Sequence, residues 1–198
     1  IRAHLSHQRD GYKFIHDQTV RRMNLGQTPD EISEGLQLPS ALRADWAMRG
    51  YYGTVSHNAK AVYDRYMGWY DGVPVNLNRH PPVERAKRMV AAMGGSKALH
   101  REARIAFERG DYRWSAELAH NGVFADTSDT ASRRLLADSY EQLGYQSESA
   151  IWRNIYLTGA RELRQGKPDG FPQTGPNYLM AATPLADFLS YLETTIVP

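Results

Sequence analysis

Cysteine is absent from this 198-residue chain, which excludes disulfides, thiolate metal sites and cysteine nucleophiles within it. Long apolar runs are missing too, and none approaches the roughly 20 residues that span a bilayer. Neither sign of charge dominates. The 24 Lys and Arg against 22 Asp and Glu leave a net charge of +2, so no broad basic surface argues for nucleic acid or anionic lipid as a partner. No Ser-His-Asp, Cys-His or paired-carboxylate arrangement stands out as a self-sufficient catalytic site. His4 and His7 share helical i, i+3 spacing, with His16 further on. Zinc needs three or four convergent ligands, so these histidines read as solvent-facing positions on a helix and no metal site is assigned. Gly94-Gly95 lacks the following Lys-Ser/Thr and the preceding strand of a phosphate loop.

What is present is aromatic and helical. Between Gly50 and Gly72 lie Tyr51, Tyr52, Tyr63, Tyr66, Trp69 and Tyr70 with His57, Lys60 and Arg65. Ser56 is a good N-cap, and Ala59, Val62, Tyr63, Tyr66 and Tyr70 follow helical spacing. Gly50 and Gly53 bracket a turn before this helix, and Asp71-Gly72 followed by Pro74 stops it. His57 then sits in a first helical turn, where backbone N–H groups favour an anion. An aromatic helix stripe is ordinarily core; the sharper alternative is a pocket for sulfate or phosphate oxygens.

The flanking chain reads as helix throughout. Residues 2–25 form an amphipathic helix ending near Gly26. Thr28-Pro29-Asp30-Glu31 is a helix start with cap, first-turn proline and capping-box glutamate. That short helix ends near Leu36, and a second runs from Ser40 through Leu42, Trp46 and Met48 to Gly50. A helix from Val83 to Met93 closes at Gly94-Gly95, and Ser96 caps the next, Lys97 to Arg109. Tyr112–Phe124, Thr130–Leu143 and a helix opened by Ser147 follow, with Gly144 ending the second of these. Gly110 recurs as Gly144, Ala103 as Ala137 and Ala116 as Ala150, each 34 positions on, which is the tetratricopeptide period. Two such units are fewer than a free solenoid needs. Tyr112-Arg113-Trp114 and Trp152-Arg153-Asn154 set cations beside rings, a composition that suits either an interface or packing between hairpins. The fold class expected is all-α, a helical bundle with tetratricopeptide-like hairpins.

Several blocks resemble one known family in order. YYGTVSHNAKAVYDRYMGWYDG, GDYRWSAEL, VFAD, ADSYEQLGYQSES and WRNIYLTGARELR are similar to the middle region of the zinc-dependent alkylsulfatases, enzymes of metallo-β-lactamase fold that hydrolyse alkyl sulfates such as dodecyl sulfate. The resemblance runs from QRDGYKFIHDQTVRRMNLGQTPDEI to about Arg164. It implies that the chain is a piece of a longer protein. Residues 1–50 would be a helical segment following the zinc hydrolase domain, and 51–165 the dimerisation domain. Residues 166–182 would be a linker, and 183–198 the start of a sterol-carrier-like domain.

The resemblance further implies a homodimer, contact with the remaining domains of the same enzyme, and an alkyl sulfate substrate. Two zinc ions, held by the zinc hydrolase domain, would activate water for the attack on the ester. None would be bound by this segment, which by itself would not be active. His57 and Tyr70 are the expected sulfate contacts, Tyr70 preferred over Tyr66 and Tyr63, and Trp69, Met67 and Tyr51 are candidate walls of an alkyl channel. A periplasmic or secreted location is expected, which the lack of cysteine permits without requiring. The alternative is a stand-alone helical scaffold that binds a protein through its tetratricopeptide-like half.

Overall fold

The computed structural model describes residues 1–166 and 182–195, all of whose regular elements are helical. Two units are separable, Ile1–Arg164 and Gln165–Pro198, and each is treated by itself. The first unit opens with α1 (Arg2–Asn24), which buries Gly11, Ile15 and Thr19 along one face and stops at Gly26, where φ is +79°. Thr19 is fully buried and donates its hydroxyl to the Ile15 carbonyl at 2.7 Å. The expected capping box is present at α2 (Pro29–Gly35): Thr28 and Glu31 satisfy each other's backbone N–H groups. The helix expected from Ser40 to Gly50 is broken instead. Its parts are α3 (Ser40–Arg43), preceded by Pro39, and a 3₁₀ turn, Trp46–Met48, capped by Asp45. The Asp45 carboxylate accepts from Ala47 N–H at 2.9 Å and restarts the chain in a new direction.

Helix α4 (Val55–Met67) packs against α1 and α2. Ile15, Ile32, Leu36, Leu38, Ala59 and Tyr63 form a compact core between them. Two histidines of α1 are structural ties rather than free surface groups. His7 meets Asp45 at 2.5 Å, and His16 lies 2.8 Å from the Tyr66 hydroxyl and 2.9 Å from Asp17. Sequence spacing showed their face but not their partners, which lie 38 and 50 residues away.

The second core lies among α5 (Pro82–Ala92), α6 (Ser96–Glu108), α7 (Tyr112–Ala125) and α8 (Thr130–Gln146), with Leu99, Leu118, Leu135 and Leu136 at its centre. Small residues let the helices approach: Ala103, Ala119 and Ala137 are 0 % exposed. Ser115 and Ser139 meet at 2.9 Å between α7 and α8, so their buried hydroxyls are satisfied. Asp111 and Asp129 cap α7 and α8. Ser96 is not a cap; it is the first residue of α6, and Gly95 with φ +96° precedes it. Helix α9 (Ala150–Gln165) is fastened to α8 by paired Tyr140 and Tyr156 rings and by Arg164, which forks onto Asp138 and Glu141 at 2.8 and 3.0 Å.

The 34-residue echo holds only in part. Ala103 and Ala137 are equally buried, but Gly110 sits in a turn at φ +80° whereas Gly144 is inside α8. There Gly144 serves close packing, since a Cβ would come within 2.8 Å of Leu157. It does not end the helix. Ala150, the echo of buried Ala116, is exposed at the start of α9. In the second unit, α10 (Leu185–Thr195) begins after Thr183-Pro184 as its sequence indicates. The Gly/Pro-rich stretch read as a linker falls almost entirely outside the described residues. Among those described, no helix is long and apolar enough to cross a membrane.

A Cβ on Gly122 would lie 2.2 Å from Ser132 Oγ and 2.7 Å from its Cβ. Gly122→Ala is therefore expected to lower the unfolding free energy by about 1–3 kcal/mol through forced separation of α7 from α8, measured by urea denaturation. Asp45, Asp71 and Asp126 are held below their ordinary pKa of 3.8, chiefly by hydrogen bonds from His7, Val73 N–H and the Ser128 hydroxyl respectively. A carboxyl whose folded value is depressed stabilises fully above its unfolded value and loses that effect as pH falls through the folded one. The urea midpoint should fall below about pH 4, and less steeply in Asp45→Asn.

Candidate functional site

The aromatic segment folds into two parts with different roles. Gly50 and Gly53 make a tight turn in which a Cβ on either would press on Gly53 O or Asn58 at 3.2–3.3 Å. Helix α4 starts at Val55 with Thr54 as cap, two residues before the Ser56 cap expected, and Thr54 Oγ1 accepts from His57 N–H at 2.9 Å. Thr54 takes this place because its backbone is extended while Ser56 is already helical. The helix ends at Gly68, φ +69°, so Trp69 and Tyr70 lie beyond it rather than on its stripe. Of that stripe, Ala59 and Tyr63 are core, at 1 % and 4 % exposure, whereas Tyr66 remains 57 % exposed. Burial and the nearby Asp71 charge push the Tyr63 hydroxyl pKa above its usual value.

The aromatic turn is clamped by the start of α9. Ala150 N–H donates to the Tyr51 carbonyl at 2.8 Å, Ser149 Oγ donates to the Tyr52 carbonyl at 2.6 Å, and Arg49 pairs with Glu148 at 2.6 Å. This brings Trp152 edge-on to His57, with ring centroids 6.5 Å apart and the indole N–H directed at His57 Nδ1 from 3.4 Å. With Nδ1 accepting, the neutral imidazole carries its proton on Nε2. The ring therefore has one donor left over. Val55 and Ser56, in the first turn of α4, have no intrahelical acceptor for their N–H groups.

A cavity of about 580 Å³ opens beside this arrangement, with His57, Tyr51, Tyr52, Tyr12 and Trp152 among its walls. Tyr51 is steadied by Trp46 at 5.7 Å and by the Arg49 guanidinium 5.2 Å over its ring. Thus His57 and Tyr51, two residues singled out in the sequence, share one cavity. Tyr70 does not line it. It lies past the far end of α4, whose rise from His57 to Met67, ten residues on, is about 15 Å, and it packs on Trp69 at 5.7 Å. Met67 and Trp69, 51 % and 75 % exposed, belong to that far end as well. Trp152 is the partner that sequence reasoning missed: it stood out as an aromatic beside a cation, but nothing marked its meeting with His57, 95 residues away. Arg153 turns inward to the Ser147 and Glu148 carbonyls, so half of that motif is packing within the chain. Among the described residues, no group of three or more His, Asp and Glu side chains converges to hold a metal ion.

Residues 28–166 match the family model described as alkyl sulfatase dimerisation. The chain belongs to this family. It is 54 % identical over 164 residues to the alkyl/aryl-sulfatase BDS1 of Saccharomyces cerevisiae, covering 83 % of this chain and 25 % of that protein. Identity is 50 % over 169 residues with an (R)-specific secondary-alkylsulfatase of Pseudomonas sp., covering 85 % and 26 % of the two chains. The structure of the stereoselective inverting sec-alkylsulfatase Pisa1 from Pseudomonas sp. superposes with a TM-score of 0.84 at 48 % identity, covering 86 % of this chain and 27 % of that one. The chain thus spans about a quarter of the relatives it matches. The resemblance and the all-α class expected from sequence agree with these findings.

The clamp on the aromatic turn gives a direct test. Ser149→Ala removes the hydroxyl that donates to the Tyr52 carbonyl and accepts from Trp152 N–H at 3.5 Å in the first turn of α9, and should cost about 1–2 kcal/mol in urea unfolding. Arg49→Ala removes an exposed ion pair and should cost no more than about 1 kcal/mol.

Proposed function

We propose that this chain is the dimerisation and active-site-wall segment of an alkylsulfatase, a hydrolase that converts alkyl sulfate esters such as dodecyl sulfate to alcohol and sulfate. The observation that carries this reading is the family match over residues 28–166, together with a His57 imidazole whose Nε2–H is free to donate beside an aromatic cavity. His57 is proposed as a sulfate contact. Its Nε2–H and the first-turn N–H groups of α4 suit the oxygens of an anion. The rings of Tyr51, Tyr52 and Trp152 suit an alkyl chain, in keeping with the mostly apolar lining of ligand sites. Tyr70 is proposed as the second sulfate contact. Because α4 separates it from His57, its share is tested on its own.

The two zinc ions of the proposed enzyme are assigned, on the family resemblance, to a domain outside this chain. No step of the reaction is routed through this segment's own side chains except the binding and orientation of the sulfate group. The remaining proposal is assembly: a homodimer formed through this domain, in an enzyme located in the periplasm or outside the cell. The exposed Trp46, Tyr52 and Trp69, each more than 70 % accessible, supply the aromatic surface such an interface uses.

In the full-length protein, His57→Ala should lower kcat/KM for dodecyl sulfate on the order of 10- to 100-fold, the loss of one hydrogen bond to a charged group. Zinc content and sedimentation as a dimer should be unchanged. Tyr70→Phe, measured beside it, should show a smaller loss. Unaltered turnover in His57→Ala removes that residue from the site, and a monomer at micromolar concentration removes the assembly.

A further inference from the structure

A cleft of about 950 Å³ lies between the α2/α4 layer and the helices α5, α7, α8 and α9. Its floor is apolar: Met89 and Met93 from α5, Leu118 from α7 and Leu143 from α8 line it, with Trp114 alongside. Methionine is a flexible, polarisable filler that adapts to varied ligands. Its rim is cationic. Lys60, Arg79, Arg85 and Arg113 face Asp30 and Glu117, an excess of positive charge before His80 is counted.

The rim charges are not equivalent. Lys60 is paired with Asp30 at 2.6 Å, and Arg113 with Glu34 at 2.9 Å. Arg79 is held by the Asn76 side-chain oxygen, a neutral partner, at 2.7 Å. Arg85 is exposed, and its guanidinium makes no hydrogen bond or ion pair among the described residues. Deeper in, Tyr140 and His120 line the same cleft, and neither side chain makes a hydrogen bond there. Burial pushes the His120 pKa below its ordinary value, which keeps that imidazole neutral, and pushes the Tyr140 hydroxyl up. The cleft therefore joins unpaired donors and an unpaired guanidinium to an apolar trough.

We propose that this cleft binds a single-chain anionic amphiphile, its charged head at Arg85 and Arg79 and its chain along Met89, Met93 and Leu118. A guanidinium matches the planar oxygens of a sulfate, sulfonate or carboxylate head, and the volume is that of a small-molecule site. The proposal stands on the cleft alone and does not require the sulfatase reading.

The probe is decane-1-sulfonate, which has no ester to hydrolyse, kept monomeric and titrated into the full-length protein. Binding is read as the Trp114 emission, taken as the difference between wild type and Trp114→Phe. The expected result is a saturable change whose midpoint moves about tenfold or more in Arg85→Glu. Arg88→Glu should move it less than about twofold, because Arg88 sits on the same helix, pairs with Glu84 and does not line the cleft. Sodium sulfate alone should give no response. An absent Trp114 response, an equal response to sulfate alone, or equal effects of Arg85→Glu and Arg88→Glu would each overturn the proposal. Dodecyl sulfate hydrolysis in the same preparations keeps the two readings apart: loss of hydrolysis in wild type sinks the sulfatase reading and leaves the binding result standing.

Discussion

Two backbone carbonyls, those of Tyr51 and Tyr52, hold this domain's site together. Both belong to a glycine-bounded turn, and both are taken by the first residues of α9, through Ala150 N–H and the Ser149 hydroxyl. The turn has few hydrogen bonds of its own: among the described residues, the Tyr51 N–H to Arg49 carbonyl contact is the one that closes it. Without α9 the carbonyls would depend on water. With it, the turn fixes the entry to α4, the entry fixes His57, and α9 delivers Trp152 against the same ring. One of the N-terminal N–H groups that a helix leaves without an intrahelical partner, that of Ala150, is here used to join the α9 end to the aromatic turn.

Those cores differ in how they are built. The first, around Ile32 and Tyr63, uses branched and aromatic side chains between α1, α2 and α4. The second depends on alanine, glycine and serine at the contacts of α6, α7 and α8, so its helices lie close and tolerate little added volume. Polar groups follow the same logic. His7, His16, Ser115 and Ser139 are each matched to a partner on another element, which ties helices together and gives the packing a defined register.

Much of this was legible in the chain. The helices from Arg2 to Gln165 follow apolar periodicity, and the Thr28 to Glu31 capping box was readable residue by residue because its chemistry is local. Errors arose where two local signals competed. Thr54 and Ser56 are both capable caps, and only the backbone conformation decides between them. Gly144 carried a stop signal, but its neighbour Leu157 occupies the space a side chain would need, so the glycine marks close approach instead. The geometry of the candidate site was legible only where its residues are close in sequence. His57 and Tyr51 are near each other in sequence and share a cavity, whereas Trp152 and the Ser149 clamp are distant partners that no spacing rule reaches. Tyr70 was misplaced on the helix because Gly68 breaks the stripe four residues sooner than the Asp71-Gly72 signal suggested. The family, by contrast, was legible from whole blocks of residues.

The clamp also sets an order in time. Ser149 and Tyr52 are 97 residues apart, and a ribosome adds about 5–20 residues per second. For roughly 5–20 s after the turn is made, its carbonyls have no protein partner, and α4 begins on an unanchored entry. The α1–α4 layer can gather around Ile32 in that interval, but the geometry around His57 has to wait for α9 to leave the exit tunnel. The turn and the His57 ring thus take their final geometry only after the α1–α4 core has had time to form.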